Sequence, residues 1–108
     1  MPQFVLMLRD TGFPDTISPE EIQSIIERYG AWMAKARATG QKLYDGEGRV
    51  IVKKDGGLAV TDGPYVESKE VIGGYFVVEA EDYDAAARMV DDCPHLEFGS
   101  IEIRRIEM

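Results

Sequence analysis

Residues 4–8 have the sequence Phe-Val-Leu-Met-Leu, a run in which every side chain is apolar. Successive side chains of a β-strand point to opposite faces of a sheet, so a strand here presents apolar groups on both faces, with Val5 and Met7 opposite the other three. Residues 75–78, Tyr-Phe-Val-Val, have the same character. Runs that are apolar on both faces are typical of strands in the interior of a sheet. The two runs therefore predict a pair of central strands.

Two other segments have the spacing of amphipathic helices. The first begins with a capping box at Ser18 and has Pro19 at the first helical position, and Gly40 is expected to end it. The second is capped by Asp82 and is expected to end at residues 93–94, Cys-Pro. The apolar stripes consist of Ile22, Ile25, Ile26, Tyr29, Met33 and Ala36 in the first helix, and Tyr83, Ala86, Ala87 and Val90 in the second.

Glycine-containing turns divide the rest of the chain into strands. Residues 50–52 and 58–60 are apolar runs on either side of residues 55–57, Asp-Gly-Gly, which is typical of a β-hairpin. In residues 101–104, isoleucines that are expected to face inward alternate with charged residues that face outward. The position of the next isoleucine predicts a bulge at residues 104–105.

The segments give the order strand, helix, strand, inserted hairpin, strand, helix, strand within a single domain, residues 1–108. This is the α+β class and the ferredoxin-like βαββαβ plan, an antiparallel sheet with both helices on one face. Val5, Met7 and alternate residues of 75–78 then form an apolar patch on the helix-free face, on the order of several hundred Å² and at the upper range for monomers. A homodimer through the helix-free sheet face is therefore expected.

Composition excludes several classes of function. The net charge of −8, from 20 acidic and 12 basic residues, repels phosphate backbones, so no nucleic-acid partner is expected. No apolar run approaches the length of a membrane span and no signal peptide is visible, so no membrane partner is expected either. The single cysteine, Cys93, excludes an internal disulfide and favours a reducing compartment, which predicts a cytoplasmic protein.

No metal or cofactor is predicted. Cys93, His95 and Glu97 are possible ligands, but they lie within five residues and no second cluster accompanies them, whereas a structural zinc usually takes two separated pairs. The pair Gly73-Gly74 precedes a strand instead of linking a strand to a helix, so it predicts a bulge or a close backbone approach and not a dinucleotide loop.

Residues 60–70, Val-Thr-Asp-Gly-Pro-Tyr-Val-Glu-Ser-Lys-Glu, and residues 72–76, Ile-Gly-Gly-Tyr-Phe, resemble the signature of YCII-related proteins of the DGPF type. Tyr65 stands where the motif usually has phenylalanine. Residues 93–96, Cys-Pro-His-Leu, and 99–104, Gly-Ser-Ile-Glu-Ile-Arg, are similar to the closing segment of that family. The resemblance implies a ferredoxin-like, dimeric α+β barrel.

The resemblance also carries a hypothesis about chemistry. An enzymatic role has been proposed for the wider family, based on a histidine of the first helix that works with an aspartate. Here the corresponding residues 29–33, Tyr-Gly-Ala-Trp-Met, contain no histidine, and the single histidine, His95, follows the second helix. That dyad therefore cannot be carried over to this chain.

Five residues are candidates for a small-molecule site. Asp62 could act as a base with Tyr65 as a lid, although a tight turn selects the same residues. His95 could carry a proton, since histidine titrates near neutrality, and its alternative is hydrogen bonding in a surface loop. Arg9 could bind a carboxylate, or pair with acidic residues in water. Trp32 could wall a pocket, or complete the core.

Three classes of function fit these residues. One is a proton-transfer enzyme that uses a small-molecule cleft between the facing sheets of the dimer, with Asp62 or His95 as the proton carrier. Another is a ligand-binding or regulatory module without catalysis. The third is a subunit that serves assembly alone. No motif specifies a substrate or a reaction.

Overall fold

The computed structural model describes residues 1–10, 16–43, 48–62 and 71–107, without the side chains of residues 61, 62 and 71. The elements are β1 (Gln3–Asp10), α1 (Pro19–Ala36), β2 (Thr39–Lys42), β3 (Arg49–Lys54), β4 (Gly57–Asp62), β5 (Val71–Glu79), α2 (Tyr83–Met89), a 3₁₀ helix η1 (Pro94–Glu97) and β6 (Gly99–Arg105).

Four strands form one antiparallel sheet in the order β2-β5-β1-β6, and β3 pairs with β4 in a separate hairpin. The central strands are β1 and β5, the two runs that are apolar on both faces. The order is that of the ferredoxin-like plan with a hairpin inserted between its second and third strands. The predicted α+β ferredoxin-like fold is confirmed.

The core lies between one face of the sheet and both helices. Phe4, Leu6 and Leu8 alternate along β1 and are buried in one cluster with Trp32 of α1 and Ala86 of α2. Because side chains alternate along a strand, the intervening residues of β1 and β5 lie on the opposite, helix-free face.

On the helix-free face, register pairs Val5 with Val77 and Met7 with Tyr75. The side chains of Val5, Met7 and Val77 are partly buried, and that of Tyr75 is 36% exposed. This apolar set crosses the two central strands on the helix-free face, as the alternation of the two apolar runs predicts.

Both helices begin where their caps predict. The Ser18 hydroxyl accepts the N–H of Glu21 at 3.1 Å, and an Asp82 carboxylate oxygen accepts the N–H of Ala85 at 2.8 Å. Each cap satisfies a backbone donor that a helix start leaves without an intrahelical partner. In the described part of the chain, no helix is long and apolar enough to cross a membrane.

Both helices end earlier than predicted. The first ends at Ala36 because Arg37 takes the left-handed conformation, with φ 54°, and lets the N–H of Ala38 bond back to Met33. Gly40 lies instead in β2, where a Cβ would stand 2.0 Å from the carbonyl oxygen of Tyr75. The second helix ends at Met89, four residues before the Cys-Pro pair.

The hairpin turn and one of two predicted bulges are confirmed. Asp55 and Gly56 have positive φ, 50° and 83°, as a two-residue turn between twisted strands requires. Along β1, Leu8 pairs with Gly74 but the next residue pairs with Ile72, so Gly73 is the extra residue of a bulge. The bulge predicted at residues 104–105 is wrong, since their pairing with β1 is continuous.

Candidate active site

A cavity of about 500 Å³ opens between α1 and the helix-covered face of the sheet. Its location differs from the expected cleft between facing sheets, because it lies within one subunit and on the other side of β1 and β5. The walls are mostly apolar, formed by Leu8, Ile22, Ile25, Ile26, Met33 and Phe76. The wide stripe of α1 thus serves two purposes, packing on the core and lining this cavity.

The bulge on β5 makes the room for the cavity. Gly73 and Gly74 line it with backbone alone. A Cβ at Gly73 would stand 3.1 Å from a carboxylate oxygen of Asp10, and one at Gly74 would stand 3.6 Å from Leu8. Two glycines at this point therefore leave space in front of the carboxylate at the end of β1.

The described polar residues that line the same cavity are Asp10 of β1, Tyr29 of α1 and His95 of η1, together with Gln41 and Lys42 of β2. The Tyr29 hydroxyl lies 3.0 Å from Nδ1 of His95, and Nε2 of the same ring lies 2.9 Å from the carbonyl oxygen of Arg9. A carbonyl oxygen only accepts hydrogen bonds, so Nε2 must carry a proton. In the neutral ring, Nδ1 then accepts the hydrogen bond that Tyr29 donates.

His95 is buried, with 2% of its surface exposed, so the expectation of a surface loop residue is wrong. The reason is that η1 folds back toward the sheet and both ring nitrogens find partners there. An ion pair between Arg28 of α1 and Glu97 of η1 also joins the two helices on the outside. α1 itself contains no histidine, but His95 of η1 contacts Tyr29 of α1.

Electrostatics keep Tyr29 protonated. Burial is the main cause that raises the pKa of Tyr29 well above its ordinary value of 10.0. The Cys93 thiolate that forms at alkaline pH and the Asp10 carboxylate add to the shift, while Arg28 opposes it. A neutral phenol between an imidazole and an apolar cavity can receive one proton and pass on another. It is not suited to act as a phenolate.

The other predicted site residues lie elsewhere. The Arg9 guanidinium lies on the helix-free face and pairs with Glu102 at 2.7 Å, so only its backbone carbonyl takes part in the site. Trp32 is buried in the core and donates its indole N–H to the carbonyl of Met89 at 3.1 Å. Asp62 ends β4 and its side chain is outside the description, as is Tyr65 entirely.

The sequence analysis assigned no role in a site to Asp10 or Tyr29. The signal for Asp10 was present, because alternation along β1 puts it in the same row as Leu8. Tyr29 was recognised only as one member of the apolar stripe of α1. Among the residues that the structure describes, no three His, Cys, Asp or Glu side chains lie close enough together to hold a metal ion.

The solved structures that are similar to this chain include two proteins of similar length. One is 5-chloro-2-hydroxyhydroquinone dehydrochlorinase, TftG, from Burkholderia phenoliruptrix AC1100, in complex with 2,5-dihydroxybenzoquinone, at 18% identity over 97% of this chain and 93% of that chain, with a TM-score of 0.49. The other is At3g17210 from Arabidopsis thaliana, at 15% identity over 100% and 95% of the two chains, with a TM-score of 0.42.

A search of curated protein sequences found no match. A family model, that of the YCII-related domain, matches residues 3–108, which is nearly the whole chain and includes every residue of the cavity. The protein belongs to the family of YCII-related proteins.

Proposed function

We propose that this protein is a proton-transfer enzyme that acts on a small, largely apolar molecule bound in the cavity between α1 and the sheet. One observation carries the proposal. The hydroxyl of Tyr29 lies in the wall of an apolar cavity and is hydrogen-bonded to the single histidine of the chain, His95, whose other nitrogen is held by the backbone of Arg9.

The proton path follows from this geometry. A substrate O–H or activated C–H bond breaks at Tyr29, and its proton forms a new bond to the hydroxyl oxygen while the original phenol proton moves to Nδ1 of His95. The substrate keeps the electron pair as an anion, the imidazole becomes an imidazolium, and Tyr29 stays neutral throughout. The raised pKa of Tyr29 favours this concerted relay over a path through a free phenolate.

The reverse movement completes the reaction. Return of the proton from His95 through Tyr29 to a different atom of the substrate gives an isomerised product, and loss of a leaving group from the anion gives an elimination. Asp10 lines the same cavity, and its negative charge helps to keep Tyr29 protonated. Lys42, which also lines the cavity, supplies positive charge for the substrate anion.

The substrate class follows from the walls. A volume of about 500 Å³ is ordinary for a small-molecule site, and the aliphatic and aromatic walls favour an apolar ring or short chain. Tyr29 and Asp10 are the polar contacts at one end, so the substrate carries a hydroxyl, an enol or a carbonyl there. Lactones, enols and hydroxylated aromatic rings have this combination.

The test has two steps. Lactones, enols and hydroxylated aromatic compounds are first screened by thermal shift, and each compound that binds is then incubated with enzyme in D₂O and followed by NMR. We expect deuterium to enter the bound compound at carbon with wild-type protein. In Tyr29→Phe and His95→Gln, exchange should slow by about 10²- to 10⁴-fold, the usual contribution of a general acid or base, while binding persists.

Two results would overturn this assignment. Binding without exchange in the wild type would indicate a ligand-binding or regulatory module. Loss of exchange in Asp62→Asn, with exchange retained in Tyr29→Phe, would move the base to the turn that holds Asp62 and Tyr65. Tyr83→Phe is the matched control, because the Tyr83 hydroxyl accepts the N–H of Arg105 away from the cavity, and it should exchange at the wild-type rate.

The proposal includes the setting of the enzyme. We place the enzyme in the cytoplasm and within the DGPF type of the family. The reducing cytoplasm suits Cys93, because this single cysteine is buried and burial raises its pKa, so that it stays a thiol. We place two subunits together through the helix-free sheet face, where Val5, Met7, Tyr75 and Val77 form the apolar set described above. Each subunit then keeps its own cavity on the outward, helix-covered side.

A further inference from the structure

β3 and β4 form a two-stranded arm, residues 49–62, that stands apart from the four-stranded sheet. None of its described side chains is buried. The molecule measures 47 × 41 × 19 Å, whereas an eight-residue strand such as β1 spans only about 27 Å. The radius of gyration is 15.9 Å, against about 13 Å for a compact domain of this length. The chain is therefore more extended than a compact domain of its length, and β3 and β4 pack chiefly on each other.

Both faces of the arm are apolar and open. Ile51 and Val52 are neighbours that point to opposite faces, and they are 60% and 54% exposed. Val60 pairs with Ile51 across the hairpin, and Leu58, two residues before it on the same face, is 70% exposed. An isolated two-stranded hairpin is marginal in water, so an arm of this kind is stabilised by covering at least one of these faces.

The charge of the arm indicates what covers it. Arg49, Lys53 and Lys54 are three of the 12 basic residues of the chain, and the arm has only two acidic ones, Asp55 and Asp62. Removing these from the totals of 12 and 20 leaves nine basic against 18 acidic residues for the rest of the chain. A positive arm and an acidic body attract each other when they belong to two copies of the same chain.

The exposed area is sufficient for such an interface. The chain exposes 7998 Å², whereas a compact monomer of 12.1 kDa exposes about 6,000 Å². A standard protein interface removes about 800 Å² from each partner. The excess is therefore larger than one copy contributes to a typical stable dimer, and the arm is the described element with the most exposed apolar side chains.

We infer that the arm clasps a second copy of this chain and buries Ile51, Leu58 and Val60 against that copy. The arm is an interaction surface separate from the cavity, so the inference extends the proposed assembly and is independent of the proposed chemistry. It assigns a role to the inserted hairpin, which the ferredoxin-like core does not need for its own sheet.

The test compares the dissociation constants of dimers by sedimentation equilibrium over a dilution series. In the double variant Leu58→Lys, Val60→Lys, two charges replace apolar groups that the free monomer already exposes. We expect the dissociation constant to rise by about tenfold or more, since each apolar side chain of this size contributes about that factor when buried. Leu96→Lys, at a position 45% exposed in η1, is the matched control and should not change it.

Hydrogen exchange of the wild-type protein tests the same inference without any substitution. Amides of β3 and β4 should become more protected as protein concentration rises through the dissociation constant. The clasp is overturned if the amides of β3 and β4 are equally protected at all protein concentrations and the dimer dissociation constant of the double variant equals that of the wild type. If Met7→Lys on the sheet face dissociates the dimer while the arm variant does not, the clasp fails and the proposed dimer stands. A wild-type protein that stays monomeric overturns both.

Discussion

At the scale of a single residue, the ring of His95 carries a defined arrangement of protons. Nε2 faces the carbonyl oxygen of Arg9 at 2.9 Å, and that oxygen accepts only. We therefore predict the Nε2–H tautomer when the ring is neutral, with Nδ1 accepting from Tyr29. Because the chain has one histidine, ¹⁵N-histidine labelling gives a single set of ring signals by NMR. Signals of the Nδ1–H tautomer would contradict the arrangement.

The control for this measurement is Tyr29→Phe. Removing the hydroxyl takes away the donor to Nδ1 but leaves the bond from Nε2 to the backbone. The tautomer should stay the same, while the Nδ1 resonance moves toward the value of a nitrogen without a hydrogen bond. The buried nitrogen loses a partner, so stability should fall by about 1–3 kcal/mol.

Alkaline pH provides a second test of the burial of Tyr29. Its pKa is raised in the folded state, so the folded protein holds this proton more tightly than the unfolded chain, whose tyrosines titrate near 10.0. The resulting stability is fully present below about pH 10 and is lost as pH rises beyond it. Burial raises the pKa of Cys93 above 9.0 in the same way, so its contribution is lost from about pH 9 upward.

Urea unfolding at a series of pH values between 8 and 11 measures this loss. We predict that Cys93→Ala removes the part of the decline that begins near pH 9, and that Tyr29→Phe removes the part that begins near pH 10. A Tyr29→Phe protein with the same alkaline decline as the wild type would show that the phenol is not held in its protonated form.

The residues of the site were harder to predict than those of the core, for a physical reason. Tyr29 and His95 are 66 positions apart in the chain, and His95 and Arg9 are 86 apart. No local pattern reports a contact at that separation. Asp92 is a related case, since a carboxylate after the end of a helix opposes the helix dipole, and here it forms an ion pair with Lys35 of α1, 57 positions away.

At the scale of elements, the site depends on how closely β6 approaches β1. A Cβ at Gly99, the first residue of β6, would stand 1.8 Å from the carbonyl oxygen of Arg9, the same oxygen that holds His95. We predict that Gly99→Ala destabilises the protein by about 3 kcal/mol, because only a backbone shift relieves the clash. It should also disturb the NMR signals of His95. Thermal or urea unfolding measures the first effect.

Gly30→Ala is the matched control for this substitution. Gly30 lies inside α1, and a Cβ there meets nothing within 4 Å. Alanine favours the helix over glycine by about 0.5–1 kcal/mol, so this variant should be more stable than the wild type. Equal losses in the two glycine variants would mean that the contact between β6 and β1 is not what makes Gly99 necessary.

The elements themselves were largely predictable because their signals are local. The apolar runs on β1 and β5, the caps at Ser18 and Asp82 and the turn at Asp55-Gly56 each specify a conformation within a few residues. The end of α1 was not predictable in this way. Gly40 looked like a helix stop, but its positive φ of 145° and its lack of a Cβ serve the contact with β5, which is a tertiary requirement.

At the scale of the whole molecule, the helix-free face combines an apolar centre with a polar group that no described residue satisfies. In the part of the chain that the structure describes, Nε of Arg9 is buried and makes no hydrogen bond, although the same guanidinium pairs with Glu102. A buried donor without an acceptor is costly and rare. Because this nitrogen is closed to solvent within one subunit, a second copy satisfies it only if the Arg9 side chain turns as the two sheets meet.

Sedimentation equilibrium at micromolar concentration decides whether the sheets meet. We predict a mass of twice the 12.1 kDa of the chain for the wild type. Met7→Lys places a charge at the centre of the apolar set, and burying it unpaired would be unfavourable, so this variant should sediment with the mass of one chain. Ala87→Lys, on the exposed surface of α2, should remain a dimer. A Met7→Lys protein that still dimerises would place the interface elsewhere.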